Sequence, residues 1–191
     1  MSWRSVCNRA WWNIMGVAGL VMIGAPAAGQ EYLNGIEWKE PAVITPGEHG
    51  GAPSDAVVLF DGKNLDAWEN AQNWKIADGA MVSGRGDVKT KAAFGDCQLH
   101  IEWSAPVPAT GAGQGRGNSG VYLQDRYEVQ VLDSFGLKGL NNECGGIYTK
   151  AAPSVNMCFP PLTWQTYDID FTAARFDADG KKTKNAIATV K

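Results

Sequence analysis

The 191-residue chain has no long apolar run, no dense basic cluster and no stretch of sustained helical periodicity. Its most apolar segment, Ile14 to Ile23, is shorter than the roughly 20 residues that a membrane-spanning helix needs. The formal charge is -3, and no group of Lys or Arg rises above Lys181, Lys182 and Lys184, which excludes a nucleic-acid-binding class. No helix is long enough to cover a parallel sheet, and no strand–helix unit repeats, which excludes a doubly wound fold. Histidine occurs only twice, with no spaced His/Asp ligand set, so a divalent metal ion remains an open possibility without sequence support of its own. Cysteine is scarce as well, with 4 in the whole chain.

The first 29 residues have the layout of an export signal. Arg4 and Arg9 form a positive start, the apolar run follows, and Ala25-Pro26-Ala27-Ala28-Gly29-Gln30 supplies small residues for cleavage. No cysteine follows the apolar run to carry a lipid anchor. These features predict a secreted or periplasmic protein with no stable membrane anchor once the signal is gone. Of the cysteines that remain, Cys144 and Cys158 flank a loop rich in Pro, Ala, Ser and Asn. They are the natural disulfide pair, worth about 3 kcal/mol on the chain-entropy account, with Cys97 left as a thiol.

Residues 30–55 read as a breaker-rich leader over the domain surface, and 56–191 as the folded domain. Abundant Gly (23) and Pro (9) divide the domain into short alternating segments, the pattern of strands joined by tight turns. Val57 to Phe60 is the first. Trp74-Lys75-Ile76 and Ala80 to Ser83 flank an Asp78-Gly79 turn, a strong hairpin signal. In Cys97 to Trp103, Leu99, Ile101 and Trp103 share one face; Gln98, His100 and Glu102 share the other. Gly117 to Asp133 reads as two strands around a polar turn at Gln124-Asp125-Arg126. Gly145 to Tyr148, Gln165 to Phe171 and Asn185 to Val190 complete the series. The fold class that follows is all-β, a two-sheet antiparallel sandwich of jelly-roll type.

If Val129 and Val131 face the core, Glu128 and Gln130 face outward. Were the strand bearing His100 and Glu102 a neighbour, the four side chains would form one polar patch bordered by Asn118 and Tyr122. Two carboxylates, an imidazole and amides suit sugar hydroxyls, and in a cleft they suit acid–base chemistry. A non-catalytic carbohydrate-binding module is the alternative.

Several motifs in this order resemble the 3-keto-disaccharide hydrolase family. They begin with Leu59-Phe60-Asp61-Gly62-Lys63-Asn64-Leu65, Trp68 and Trp74-Lys75-Ile76-Ala77-Asp78-Gly79. Lys89-Thr90-Lys91, Leu99-His100-Ile101-Glu102-Trp103 and Gly117-Asn118-Ser119-Gly120-Val121-Tyr122-Leu123 follow. Tyr127 to Asp133, Cys144-Gly145-Gly146-Ile147-Tyr148, Ala152-Pro153 and Trp164-Gln165-Thr166-Tyr167 complete the likeness, which spans about Val57 to Val190. It implies a concanavalin-like jelly roll, export, and action on glycosidic bonds of 3-keto sugars. Members of the family usually continue past the position of Val190, so the resemblance also implies that C-terminal strands are missing here.

A ketone at C3 acidifies the hydrogen on C2, and its removal expels the C1 glycosidic oxygen. Water can then add back, so elimination and hydration together amount to hydrolysis. Glu128 or His100 are candidates for the base and Glu102 for the acid or a metal ligand. Gln130, Asn118, Tyr122, Arg116 and Tyr148 are candidates for sugar contacts. Direct hydrolysis by Glu102 and Glu128 as a carboxylate pair is the competing mechanism.

Overall fold

The computed structural model describes residues 2–7, 39–108 and 110–191. Its strands are β1 (Ser2–Cys7), β2 (Val57–Val58), β3 (Trp68–Glu69), β4 (Lys75–Ala77), β5 (Ala80–Val82), β6 (Lys89–Thr90) and β7 (Cys97–Ser104). β8 (Ser119–Leu123), β9 (Tyr127–Val131), β10 (Gln165–Thr172), β11 (Arg175–Phe176), β12 (Lys182–Lys184) and β13 (Ile187–Val190) follow. Every ladder is antiparallel. The large sheet runs β13–β10–β7–β1–β5–β4, with β2 also paired to β1, while β8–β9, β3–β6 and β11–β12 form separate pairs.

Alternation decides the faces. On β7 and β10, the side chains of Ile101, Trp103, Tyr167, Ile169 and Phe171 are buried. Across from them, Val121 and Leu123 of β8 and Val129 and Val131 of β9 close the same apolar cluster. Burying a side chain of this size contributes roughly 2 kcal/mol. Two contacts stitch the layer: the Trp103 and Tyr167 rings sit 5.5 Å apart at their centroids, and the Tyr167 hydroxyl donates to the Gln130 carbonyl at 2.7 Å. That hydrogen bond crosses from the large sheet to the β8–β9 hairpin, so the two are opposed layers of one antiparallel sandwich.

The turns follow from local chemistry. Asp78 (φ 50°) and Gly79 (φ 72°) both take positive φ between β4 and β5, as a two-residue type I′ hairpin demands. Gln124 and Asp125 adopt left-handed φ of 54° and 53° between β8 and β9. The ion pair of Lys89 with Asp125 at 3.1 Å ties this turn to β6. The resulting register sets Tyr122 opposite Glu128 and Gly120 opposite Gln130.

Two sequence expectations meet the structure differently. Gly145 to Tyr148 is not a strand; only Ile147 bridges, to Val129 and to Ala151, because the glycines before it carry the chain around a turn. Ser2–Cys7, within the expected export signal, runs as a strand between β5 and β7, with Trp3 in register with Trp103 and Arg4 with Glu102. The rest of that segment, 8–29, and the leader up to 38 lie outside the described residues. Among the described residues no helix is long and apolar enough to cross a membrane.

Candidate functional site

The outward face of the β8–β9 hairpin carries Asn118, Gly120, Tyr122, Glu128 and Gln130. Glu128 does not stand straight off the sheet. It lies across Gly120, where an added Cβ would come within 2.1 Å of its Oε1 and 2.7 Å of its Cγ. The missing side chain at 120 therefore makes the berth for the carboxylate. From the same face the Tyr122 hydroxyl donates to Glu128 Oε2 at 2.9 Å. That bond to Glu128 holds the Tyr122 hydroxyl above the ordinary tyrosine pKa, with slight burial and the charge of Glu128 adding to it.

Behind this pair, Gln130 is buried at 1% exposure. Its Nε2 donates at 3.0 Å to Gln114 Oε1 and at 3.0 Å to Asn118 Oδ1. Gln114 Nε2 in turn donates to the Asn142 carbonyl at 2.6 Å. Gln130 is thus buried beneath the loops around 114 and 142, although its parity on the strand points outward.

Glu128 and Tyr122 form a shared wall between two hollows. The larger, of about 960 Å³, runs along β8 and is lined by Trp68, Trp74, Asp87, Lys89, Lys91 and Asn118 among others. The smaller, of about 200 Å³, is bounded by Arg126, Ile147, Tyr148, Thr149 and Lys150. Tyr148 is set beside Glu128 by its backbone N–H, which donates to the Glu128 carbonyl at 2.9 Å. Thr149 next to it takes φ 61°, a left-handed conformation that costs a β-branched residue about 1–3 kcal/mol.

The structure separates the other predicted residues from this site. His100 and Glu102 lie on β7, in the opposite layer, pointing away from the core that divides the two sheets. His100 Nδ1 meets Asp168 Oδ1 at 2.7 Å, and Glu102 pairs in register with Thr166 on one side and Arg4 on the other. The expected four-residue patch is therefore not formed: alternation gave each strand its correct outer face, but the strands belong to different sheets. Glu102 and Glu128 consequently do not face one another across a cleft.

Arg116 is committed elsewhere, its Nε and Nη2 both donating to Asp133 Oδ2 at 3.1 and 2.5 Å. Asp133 is buried at 3% exposure, so the pair is an internal brace for the turn after β9. Cys144 and Cys158 are both buried, and no disulfide joins them in this structure. Their thiols are hydrogen-bonded to each other, which lowers Cys158 to about 7 and raises Cys144 above its usual range, with burial adding to the latter shift. Cys97 is partly buried at the start of β7.

Sequence reasoning missed Gln114, which sits in the Gly-rich stretch 109–117 and is marked by no motif. Among the described residues no group of three or more His, Cys, Asp or Glu is placed to hold a metal ion.

Comparison with known proteins converges on one family. No curated protein matches the chain. A solved structure of a candidate glycosyl hydrolase from Parabacteroides distasonis ATCC 8503 is similar at 41% identity and a TM-score of 0.75, covering 84% of this chain and 73% of that one. The family model of the 3-keto-alpha-glucoside-1,2-lyase-like domain matches residues 55–189. With most of its length matched and its layers and hairpins in place, the chain belongs to the 3-keto-alpha-glucoside-1,2-lyase-like family of glycoside-acting enzymes.

Proposed function

We propose that the protein cleaves the glycosidic bond of 3-keto disaccharides by elimination followed by hydration, with Glu128 as the base. The observation that carries this reading is the position of Glu128 and Tyr122 on the ridge between two unequal hollows. A two-ring substrate laid across that ridge presents its scissile linkage to the carboxylate and the phenol together.

Each step balances. Glu128 takes the C2 proton, and the C2–H electrons pass into the enolate of the 3-ketone. The enolate collapses to a C1–C2 double bond as the C1–O bond breaks towards the leaving oxygen. That oxygen takes the Tyr122 hydroxyl proton, and Tyr122 regains one from Glu128 through the hydrogen bond they already share. The products are an unsaturated ketone and an alcohol. Water adding to C1 of the former completes net hydrolysis. Tyr122 suits the donor role because its hydroxyl is already hydrogen-bonded to the carboxylate that takes up the C2 proton and can return one to it.

Tyr148, Trp68 and Trp74 supply aromatic surface beside the rings, while Gln130 and Arg116 act behind the site and do not touch sugar. An exported setting belongs to the same reading and is supported by the signal-like start of the sequence. There, oxidation would join the adjacent Cys144 and Cys158 thiols.

The test is turnover of a 3-keto disaccharide beside its unoxidised parent. Only the keto form should react, since the parent has no acidic C2 hydrogen. Glu128→Gln should lower kcat by roughly 10²–10⁴ with little change in binding. Equal turnover of both sugars would refute elimination, and binding with no turnover of either would leave a sugar-binding module.

A further inference from the structure

The amide chain behind Glu128 has a fixed polarity. At its inner end Gln114 meets the Asn142 carbonyl, a backbone oxygen that can only accept. Gln114 must therefore turn its Nε2 to that carbonyl and its Oε1 to Gln130. Facing an acceptor, Gln130 must present its Nε2, and the second hydrogen of the same nitrogen then points at Asn118. Asn118 has to answer with Oδ1. Reversing any one amide sets donor against donor or acceptor against acceptor, so one backbone carbonyl decides all three orientations. Gln130 accepts a cost to do this, because its own Oε1 is buried with no partner among the described residues.

The outer end of the chain is where this matters. Asn118 is exposed, lines the larger hollow and stands two residues from Gly120, over which Glu128 lies. With Oδ1 turned inward to Gln130, the Nδ2 hydrogens at the other corner of the amide are what Asn118 offers to the hollow.

We infer that Gln114 and Gln130 are positioning residues that lock Asn118 as a hydrogen-bond donor for an anionic oxygen of the substrate, the enolate oxygen at C3. This rests on the reading of the hollow as the sugar site. It changes what Asn118 is for: an unconstrained asparagine would serve hydroxyls as donor or acceptor, whereas a locked donor favours the oxygen that gains negative charge when Glu128 removes the C2 proton. A preset donor also avoids reorganisation as that charge appears.

The experiment has two arms. In the first, Asn118→Asp replaces the donor by an isosteric acceptor at an exposed position where folding is not at stake. Turnover of a 3-keto disaccharide at neutral pH should fall roughly a hundredfold. It should recover in part on acidification relative to wild type, as the introduced carboxylate protonates and regains an O–H donor. Gln114→Leu removes both the donor to the Asn142 carbonyl and the oxygen that faces Gln130, lets Gln130 and Asn118 reverse, and should lower kcat about tenfold with KM little changed. In the second arm, NMR of nitrogen-labelled, sugar-free protein reads exchange of the side-chain amide hydrogens. Those of Gln130 should exchange slowly and those of Asn118 fast.

Asn118→Asp turnover within about threefold of wild type at neutral pH would overturn the donor role. A loss that acidification does not relieve would do the same. Slow exchange at Asn118 with fast exchange at Gln130 would overturn the lock itself. A wild-type protein that turns over no 3-keto sugar would sink the functional reading instead, and the exchange arm would still decide the orientation of the amides.

Discussion

Replacing Gly120 by Ala separates the catalytic geometry from the stability of the fold. The added Cβ would lie 2.1 Å from Glu128 Oε1, 2.7 Å from Cγ and 2.8 Å from Cδ. Carbon contacts settle near about 3.5 Å, so the carboxylate must retreat by more than about 1 Å. It then leaves Tyr122, whose hydrogen bond to it is 2.9 Å long. Misplacement on that scale costs on the order of 10² in rate. Stability should barely change. Gly120 does not take a positive φ, so Ala accepts its backbone, and the narrower unfolded ensemble contributes about 0.4–1 kcal/mol. The lost exposed hydrogen bond takes back about 1 kcal/mol. Gly120→Ala should therefore show a urea midpoint near that of wild type with an unchanged slope, and kcat lowered about a hundredfold. In a Glu128→Ala background the clash is absent, and the same substitution should stabilise by roughly 0.5 kcal/mol. Wild-type turnover in Gly120→Ala would refute the berth. So would a loss of several kcal/mol that Glu128→Ala does not relieve.

Other consequences are as direct. Arg116→Met strips the guanidinium from the buried Asp133 carboxylate and should cost about 3 kcal/mol in urea unfolding; a normal midpoint with a raised KM would instead return Arg116 to the sugar site. The Cys144–Cys158 pair should react with an alkylating reagent through Cys158 first, the rate rising as pH passes about 7, and peptide mapping should find the first label there. Labelling of Cys144 first would contradict the direction of the thiol–thiol hydrogen bond. Removing residues 1–29 takes away five register pairs between β1 and β7. At roughly 1 kcal/mol per hydrogen bond this should cost on the order of 5 kcal/mol and speed amide exchange along β7; an unchanged melting temperature would show that β1 carries no stability.

What was legible in the sequence was whatever a strand decides by itself. Period-two alternation fixes which side chains share a face, so Ile101, Val129 and Val131 could be assigned to the core, and Asp78-Gly79 to a hairpin, without any partner. Alternation is silent on which strands are neighbours. His100 looked like a companion of Glu128 because both are outward and polar. Its neighbour is Asp168, on a strand 68 positions further along the chain, and the core separates it from Glu128. Long-range pairing of that kind leaves no local trace.

Gln130 shows a second limit. Outward parity means away from the sandwich core, not into water, and loops packed on the outer face bury this amide as completely as a core valine. The loop residue responsible, Gln114, sits among glycines with no alternation to place it, yet its hydrogen bond to the Asn142 carbonyl orients the amides around it. Ser2–Cys7 shows a third. A short basic stretch before an apolar run satisfies the pattern of an export signal, and six residues can also extend and pair with β7 through main-chain groups that any sequence carries. A molecule that has lost its first 29 residues cannot hold that strand, so processing and the central position of β1 exclude each other in any one chain. The same contrast runs through the site. Glu128 and Tyr122 were found because their own strands announce them; the residues that aim them, Gly120 by its lack of a side chain and Gln114 through two intervening amides, act on positions the sequence does not connect.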